Sequence, residues 1–203
     1  MALAYIVEEE SLRKKLLQHL ISLIEKNGMD TGFFSTEFLL PILADAGRAD
    51  LAYDLQLSEK LPGWMYEIKR GATTIWERWD AIKEDGSVNE AKSGGDNMVS
   101  FNHYAFGSVA EFYYEYILGI KPEKPGFEEI HIEPYPDQRL KKVEGSYKSA
   151  AGLIKSAWEY TENGIEFKVS VPKRAVIVLP GEQKQKVEAG EYYFTITQKK
   201  ELV

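Results

Sequence analysis

The chain has 203 residues, of which 44% are hydrophobic and 28% charged, with three histidines and no cysteine. This length suits one large domain or two modest ones, and the composition is that of a folded globular protein. Without cysteine there is no thiolate nucleophile, iron-sulfur cluster or thiolate zinc site, and scattered histidines do not form a zinc cluster, so we expect no metal and no cofactor. The net charge of −7 argues against a nucleic-acid partner.

No apolar run approaches the roughly 20 residues that a membrane-spanning helix requires, so we expect no membrane partner. The start of the sequence has no basic segment ahead of an apolar stretch, which predicts the absence of a signal peptide and a cytoplasmic location. Residues 2–7 are apolar directly after Met1, as expected for a chain that begins in the middle of a helix.

The first half of the sequence has helical periodicity. Apolar residues at helical spacing predict helices over residues 8–27, 36–46, 50–57 and 101–118. Gly28 and Gly119 follow the first and last of these helices and are expected to end them. Ser35 is the expected N-cap of the second helix. Residues 93–97 (SGGDN) predict a loop.

Beyond the proline-rich segment 121–126, which we interpret as a linker, the apolar residues alternate with a period of two. Strands are predicted over residues 129–132, 142–147, 154–160, 165–171, 175–179 and 191–197. Asn163 and Gly164 predict a tight hairpin between two of them. We therefore expect a helical domain over residues 1–119 and an antiparallel β-sandwich over residues 120–203.

Three of the four tryptophans fall within residues 64–79, among carboxylates and arginines. Aromatic faces stack on sugar rings, and carboxylates bind hydroxyls or carry out acid-base catalysis, so this combination is typical of carbohydrate sites. Buried tryptophans in a core are the alternative. Trp76 and Trp79, three residues apart, would share a helix face that forms either a core wedge or one wall of a pocket.

Two further residues have both a structural and a functional interpretation. Thr74 and Glu77 match a capping box, in which the threonine caps a helix and the glutamate reaches back to it, and spacing alone favours this role. His103 lies at the start of the last predicted helix, next to the candidate N-caps Ser100 and Asn102. There it either satisfies the helix end or offers a neutral imidazole to a sugar hydroxyl.

Four segments, in this order, resemble the end of the catalytic domain of bacterial α-L-rhamnosidases, glycoside hydrolase family 78. They are DTGFFST at 30–36, DAGRADLAY at 45–53, GATTIWERWD at 71–80 and SFNHYAFGSV at 100–109. Residues 125–158 resemble the C-terminal β-sandwich of the same family, so the resemblance covers nearly the whole chain. It implies an (α/α)6 barrel that hydrolyses terminal α-L-rhamnosyl bonds with inversion.

The resemblance also implies residue roles. Glu77 corresponds to the general base, which reverses the preference for capping, and His103 corresponds to a histidine that contacts the sugar. Trp76 and Trp79 are then expected in or near the sugar subsite. The family's general acid lies upstream of anything matched here.

Glu67 and Asp80 are the nearest substitutes for that acid in this chain. Inverting enzymes place a water between two carboxyls about 6.5 to 9.5 Å apart. Asp80, one helical turn from Glu77, is expected to be too close.

The sequence therefore predicts a fragment of an inverting glycosidase: the last helices of an incomplete (α/α)6 barrel followed by a β-sandwich. It would act on a rhamnosyl glycoside or oligosaccharide with the base but without the acid. The alternatives are a non-catalytic carbohydrate-binding or interdomain support module, and an inverting (α/α)6 hydrolase of another sugar. Barrel faces left exposed would favour a homo-oligomer.

Overall fold

The computed structural model describes residues 2–89 and 99–197, and the loop predicted at 93–97 lies outside these ranges. The chain forms two compact units, which we call the first unit (Met1–Ala110) and the second unit (Glu111–Val203). Within the described residues, no helix has both the length and the apolar character needed to cross a bilayer.

The first unit is helical. Its α-helices begin with α1 (Ala2–Tyr5), α2 (Glu10–Asn27), α3 (Phe33–Asp45), α4 (Ala49–Gln56) and α5 (Trp64–Lys69). The periodicity predicts α2, α3 and α4 correctly, and Gly28 ends α2 with a φ of 74°. The N-cap prediction for Ser35 is wrong, because α3 begins at Phe33 and Gly32 is the residue before it. The six-residue helix α5 is too short to give a periodic signal.

The core of the first unit lies between α3 and α4, which pack against each other. Both helices bury apolar side chains, including Leu40 and Leu43 from α3 and Ala52 and Tyr53 from α4. The first residue of α3, Phe33, is thereby anchored to this core through its helix.

The helix predicted over residues 101–118 is wrong in its first part. Residues 101–104 have no helical turn, and helical structure starts with a 3₁₀ turn at Ala105–Ser108. It continues as the α-helix α6 (Val109–Phe112) and a π-helix (Tyr113–Ile117). The apolar side chains of Val109, Phe112 and Tyr116 are buried along this helical segment, whereas Phe101, which precedes it, is 37% exposed.

The second unit contains two four-stranded sheets, with strand orders β1-β2-β6-β7 and β3-β4-β5-β8. The strands are β1 (Ile120–Pro122), β2 (Ile130–Ile132), β3 (Lys142–Ser149), β4 (Gly152–Thr161), β5 (Gly164–Val171), β6 (Ala175–Ile177), β7 (Gln185–Val187) and β8 (Gly190–Ile196). The six predicted strands correspond to β2, β3, β4, β5, β6 and β8. The short strands β1 and β7 were not predicted, and β1 lies partly in the segment interpreted as a linker.

The pairing within these sheets is antiparallel except between β2 and β6, which run parallel. The hairpin predicted at Asn163–Gly164 is confirmed, since β4 and β5 pair with Thr161 opposite Gly164. Alternate residues of β4 and β5 are buried and form much of the core of this unit, including Ile154, Trp158, Phe167 and Val169.

The end of the π-helix is tied to β4 by two side chains. Trp158 Nε1 donates to the carbonyl of Ile117 at 2.7 Å, and Ser156 Oγ donates to the carbonyl of Leu118 at 2.6 Å. These bonds satisfy carbonyl groups that a helix end leaves without a partner. Gly119 follows with a φ of 72°, and a Cβ there would lie 2.2 Å from the backbone of Glu133, so this position requires glycine.

Candidate active site

The first unit contains an open cleft of about 430 Å³ between the loop that precedes α3 and the segment that follows α5. Its polar lining includes the carboxylates of Asp30, Glu77 and Asp80 and the guanidinium of Arg78, and its aromatic lining consists of Phe33, Trp79 and Phe106. Acidic groups beside aromatic rings are the combination expected of a carbohydrate site. Two of the predicted site residues, Glu77 and Trp79, line this cleft directly.

The segment that carries Glu77 is not a helix, so the capping-box interpretation is wrong. Gly71 turns the chain away from α5 with a φ of 87°. Residues 74–77 then run antiparallel to residues 100–103, with the amide of His103 donating to the carbonyl of Ile75 at 2.8 Å. The amide of Glu77 donates to the carbonyl of Ser100 at 2.9 Å. This long-range pairing competes successfully with the local helix start.

The Glu77 carboxylate is held from one side. Its Oε2 accepts a hydrogen bond from the backbone amide of Ser100 at 2.7 Å. Within residues 2–89 and 99–197 no hydrogen bond reaches its Oε1, and Glu77 lines the cleft. The side chain is therefore oriented through one of its two carboxylate oxygens.

Trp79 connects the two walls of the cleft. Its indole stacks on Phe106 with 3.8 Å between ring centroids, and it meets Trp64 edge-on at 5.1 Å. Its Nε1 donates to the carbonyl of Thr31 at 3.2 Å, which ties the segment after α5 to the loop before α3. The predicted helix face shared by Trp76 and Trp79 does not exist, because both lie on irregular backbone.

Asp80 is occupied by neighbouring donors. Arg78 forms an ion pair with it at 3.1 Å, and the Asn89 amide nitrogen donates to its Oδ2. The Asp80 carboxylate is thus already bound by a cation and by an amide donor from its own unit.

His103 was predicted in the first turn of a helix, and this prediction is wrong. His103 lies two residues before the 3₁₀ turn that begins at Ala105. Its ring is stacked between Phe33, at 4.8 Å, and Tyr104, at 5.0 Å. Nδ1 accepts a hydrogen bond from the amide of Ala105 at 3.3 Å, and this assigns the proton of a neutral ring to Nε2. His103 is thus one ring away from the cleft, through Phe33, and its Nε2–H is a potential donor.

Trp76 and Glu67 lie behind the cleft. Trp76 is 3% exposed and meets Phe101 edge-on at 5.5 Å, and it is not part of the cleft lining. Glu67, on α5, is 2% exposed, and its Oε2 accepts the amide of Trp76 at 3.4 Å. Burial raises the pKa of the Glu67 carboxyl to about 7. Glu67 therefore does not face the cleft as a substitute acid.

Several cleft residues were missed at the level of sequence. Asp30 and Phe33 were noted only as part of a resembling segment, and Phe106 only as part of another such segment and of a predicted helix. Their signal is tertiary, because Phe106 stacks on Trp79, 27 positions away, and Phe33 meets Phe106, 73 positions away. Among the described residues, no group of three or more histidine or acidic side chains is arranged to hold a metal ion.

A helical unit with an acidic and aromatic cleft, followed by a β-sheet unit, agrees with the glycoside hydrolase class that the sequence predicted. Residues 1–117 match the bacterial alpha-L-rhamnosidase 6 hairpin glycosidase domain, and residues 119–194 match the bacterial alpha-L-rhamnosidase C-terminal domain. The chain belongs to the bacterial α-L-rhamnosidase family, as the resemblance implied.

Named relatives agree with this assignment. An α-L-rhamnosidase of Streptomyces avermitilis is 36% identical over 88% of this chain and 17% of the relative, and one of Alteromonas is 38% identical over 85% and 18%. The structure of the Streptomyces avermitilis α-L-rhamnosidase complexed with L-rhamnose superimposes with a TM-score of 0.88 at 32% identity, over 97% of this chain and 21% of that one. The chain thus spans about a fifth of the length of these relatives.

Proposed function

We propose that this chain supplies the general base, Glu77, of an inverting α-L-rhamnosidase. The observation that carries the proposal is the position of Glu77 in the cleft, with Oε2 fixed by Ser100 and its other oxygen without a hydrogen bond among the described residues. An inverting hydrolysis needs a carboxylate that takes a proton from the attacking water while that water bonds to the anomeric carbon. A carboxylate oriented through one oxygen meets that requirement.

The sugar subsite in this proposal is formed by aromatic and hydrogen-bonding groups around Glu77. Trp79 presents its stacked indole to the apolar face of the rhamnosyl ring, and Asp80 accepts hydrogen bonds from its hydroxyls. His103, whose ring stacks on Phe33, donates a hydrogen bond to a sugar hydroxyl through its Nε2–H. Trp76 supports the loop from behind, since its side chain is buried.

The general acid comes from outside this chain in the proposal. Of the two substitutes considered, Glu67 is buried behind the loop and Asp80 is paired with Arg78 and Asn89. The substrate is a rhamnosyl glycoside or oligosaccharide, which agrees with the names of the relatives and with the bound L-rhamnose of the Streptomyces structure. We also place the domain boundary at 119/120, supported by the limits of the two family matches.

The test replaces the matched segment of the Streptomyces avermitilis relative with this chain, which completes the barrel. The Glu77→Gln variant of this chimera should hydrolyse an aryl α-L-rhamnoside about 10² to 10⁴ times more slowly, the usual contribution of a general base. Glu84→Gln, at an exposed turn of the same unit, is the matched control and should keep full activity. Proton NMR of the first product should show the β-anomer of rhamnose, as inversion of an α-bond requires.

The 203-residue chain by itself should show negligible hydrolysis. Near-normal turnover by the Glu77→Gln chimera would contradict the assignment of the base. A folded wild-type chimera without rhamnosidase activity would contradict the proposed function as a whole, and release of the α-anomer would contradict inversion.

A further inference from the structure

The short helix α5 lies behind the loop that carries Glu77, and three of its side chains reach separate points of the chain that follows. Trp64 Nε1 donates to the carbonyl of Phe106 at 2.9 Å, and Tyr66 Oη donates to the carbonyl of Ile82 at 2.8 Å. The third is Glu67, whose carboxylate accepts the amide of Trp76. Trp76, Ile82 and Phe106 are therefore each attached through their backbone to this one short helix.

The Glu67 contact acts on the Ile75–Trp76 peptide unit, which is one unit before the Trp76–Glu77 peptide that leads into Glu77. The Ile75–Trp76 peptide donates through its N–H to Glu67 at 3.4 Å, and its carbonyl accepts the amide of His103 at 2.8 Å. The two opposite edges of one peptide plane are thus held by two different segments. Fixing this plane fixes the direction in which the backbone enters Trp76, the residue before Glu77.

Glu67 is an unusual residue for a purely structural contact. A glutamate is rarely fully buried without a partner for its charge, yet Glu67 is 2% exposed. Within the described residues its Oε1 is buried without a hydrogen-bond partner. An apolar residue would fill the same space without this desolvation cost, but it would not accept the Trp76 amide.

We propose that Glu67 is a positioning residue for Glu77: its buried carboxyl holds the Ile75–Trp76 peptide against the 100–103 segment and thereby sets the orientation of the Glu77 carboxylate. This inference rests on the proposed function, because it assigns Glu67 to the same reaction. Glu67 does not touch the substrate and acts only through the backbone of the loop.

Three substitutions separate the acceptor from the rest of the side chain. Glu67→Gln keeps the length and an acceptor oxygen, Glu67→Leu keeps the volume without an acceptor, and Glu67→Asp withdraws the carboxylate by one methylene. In the 203-residue chain, amide hydrogen exchange at Glu77, Ser100 and His103 reports the loop pairing directly. The amide of Leu57, which bonds to Tyr53 in the same unit, is the reference.

We expect Glu67→Leu and Glu67→Asp to accelerate exchange at the loop amides about tenfold relative to the Leu57 amide, the effect of a lost buried hydrogen bond. In Glu67→Gln, the ratio of the exchange rates of the loop amides to that of the Leu57 amide should stay within about threefold of the wild-type ratio. A uniform acceleration of loop and reference amides would mean that Glu67 only stabilises the unit and would overturn the inference. Unchanged loop amides in both variants would overturn it as well, and Glu67→Asp decides the question if Glu67→Leu does not fold.

Activity of the chimera then separates this inference from the proposed function. Glu67→Leu should lower kcat about tenfold with little change in KM, and Glu67→Gln should recover it. If Glu77→Gln removes activity but Glu67→Leu does not, Glu77 is the base and Glu67 has no positioning role. If Glu77→Gln has no effect while the exchange ratios change as expected, the loop contact is real but the proposed function is wrong.

Discussion

Replacing Glu67 with glutamine should make the stability of the first unit less dependent on pH. The Glu67 carboxyl is buried, and the loss of hydration that accompanies burial raises its pKa from the ordinary 4.5 to about 7. The hydrogen bond from the Trp76 amide acts in the opposite direction but does not cancel this effect. Glutamine has the same shape and does not titrate, so the difference between the two proteins isolates this one carboxyl.

The sign follows from proton binding. Between pH 4.5 and about 7 the folded protein keeps a proton on Glu67 that the unfolded chain releases, so the free energy of unfolding falls as the pH rises. The two pKa values differ by about 2.5, at about 1.36 kcal/mol for each pKa unit, which gives about 3 kcal/mol. This stability is fully present below pH 4.5 and lost above about pH 7.

Urea unfolding at half-unit pH steps measures the effect, with tryptophan fluorescence as the probe because three of the four tryptophans lie in the first unit. The free energy of unfolding of the wild-type chain minus that of Glu67→Gln should decrease by about 3 kcal/mol from pH 4.5 to pH 7.5. Glu84→Gln controls for the removal of one carboxylate at an exposed site. A difference that stays constant over this range, or that increases with pH, would refute the reasoning.

Three further outcomes are expected. Gly119→Ala should destabilise the second unit by at least about 2 kcal/mol in urea unfolding, because the added Cβ meets the Glu133 backbone. Gly181→Ala is the control: Gly181 has a φ of 76° but open space around it, so this substitution should cost only about 1 kcal/mol. In the chimera, Trp79→Ala should raise KM about tenfold and Trp79→Phe much less, and equal effects would contradict ring stacking. The chain should self-associate in sedimentation velocity experiments, and Phe34→Ser, at a 78% exposed position, should weaken the self-association. A wild-type chain that stays monomeric at high concentration would contradict this prediction.

Local patterns predict the regular parts of this fold because those parts are held by local rules. Helices α2, α3 and α4 follow from the spacing of apolar residues, and β4 and β5 follow from alternation and from Asn163–Gly164. The helix predicted over residues 101–118 is wrong at its start because an amphipathic pattern does not record that residues 100–103 already pair with residues 74–77. The parallel pairing of β2 with β6 is equally invisible to a local pattern, since the two strands are more than 40 residues apart.

The candidate site shows a similar division. Glu77 and Trp79 were found because their segment combines charged and aromatic residues and resembles a known family, and both line the cleft. Phe33 and Phe106 were missed because their contribution is tertiary: Phe106 stacks on Trp79, and Phe33 packs against Phe106. Glu67 was noted only as a nearby carboxylate, because its burial depends on the position of α5 relative to the loop.

The failure of the capping-box prediction has a physical meaning for the site. In a capping box the glutamate side chain turns back to the amide of its own threonine, which would direct the Glu77 carboxylate toward Thr74. Here Thr74 Oγ1 donates instead to the carbonyl of Phe101, and the carboxylate reaches the Ser100 amide. Both groups thus exchange a local partner for one on the opposite segment. A glutamate held across two segments keeps its direction only while they stay paired, so its geometry depends on contacts such as the one between Glu67 and Trp76.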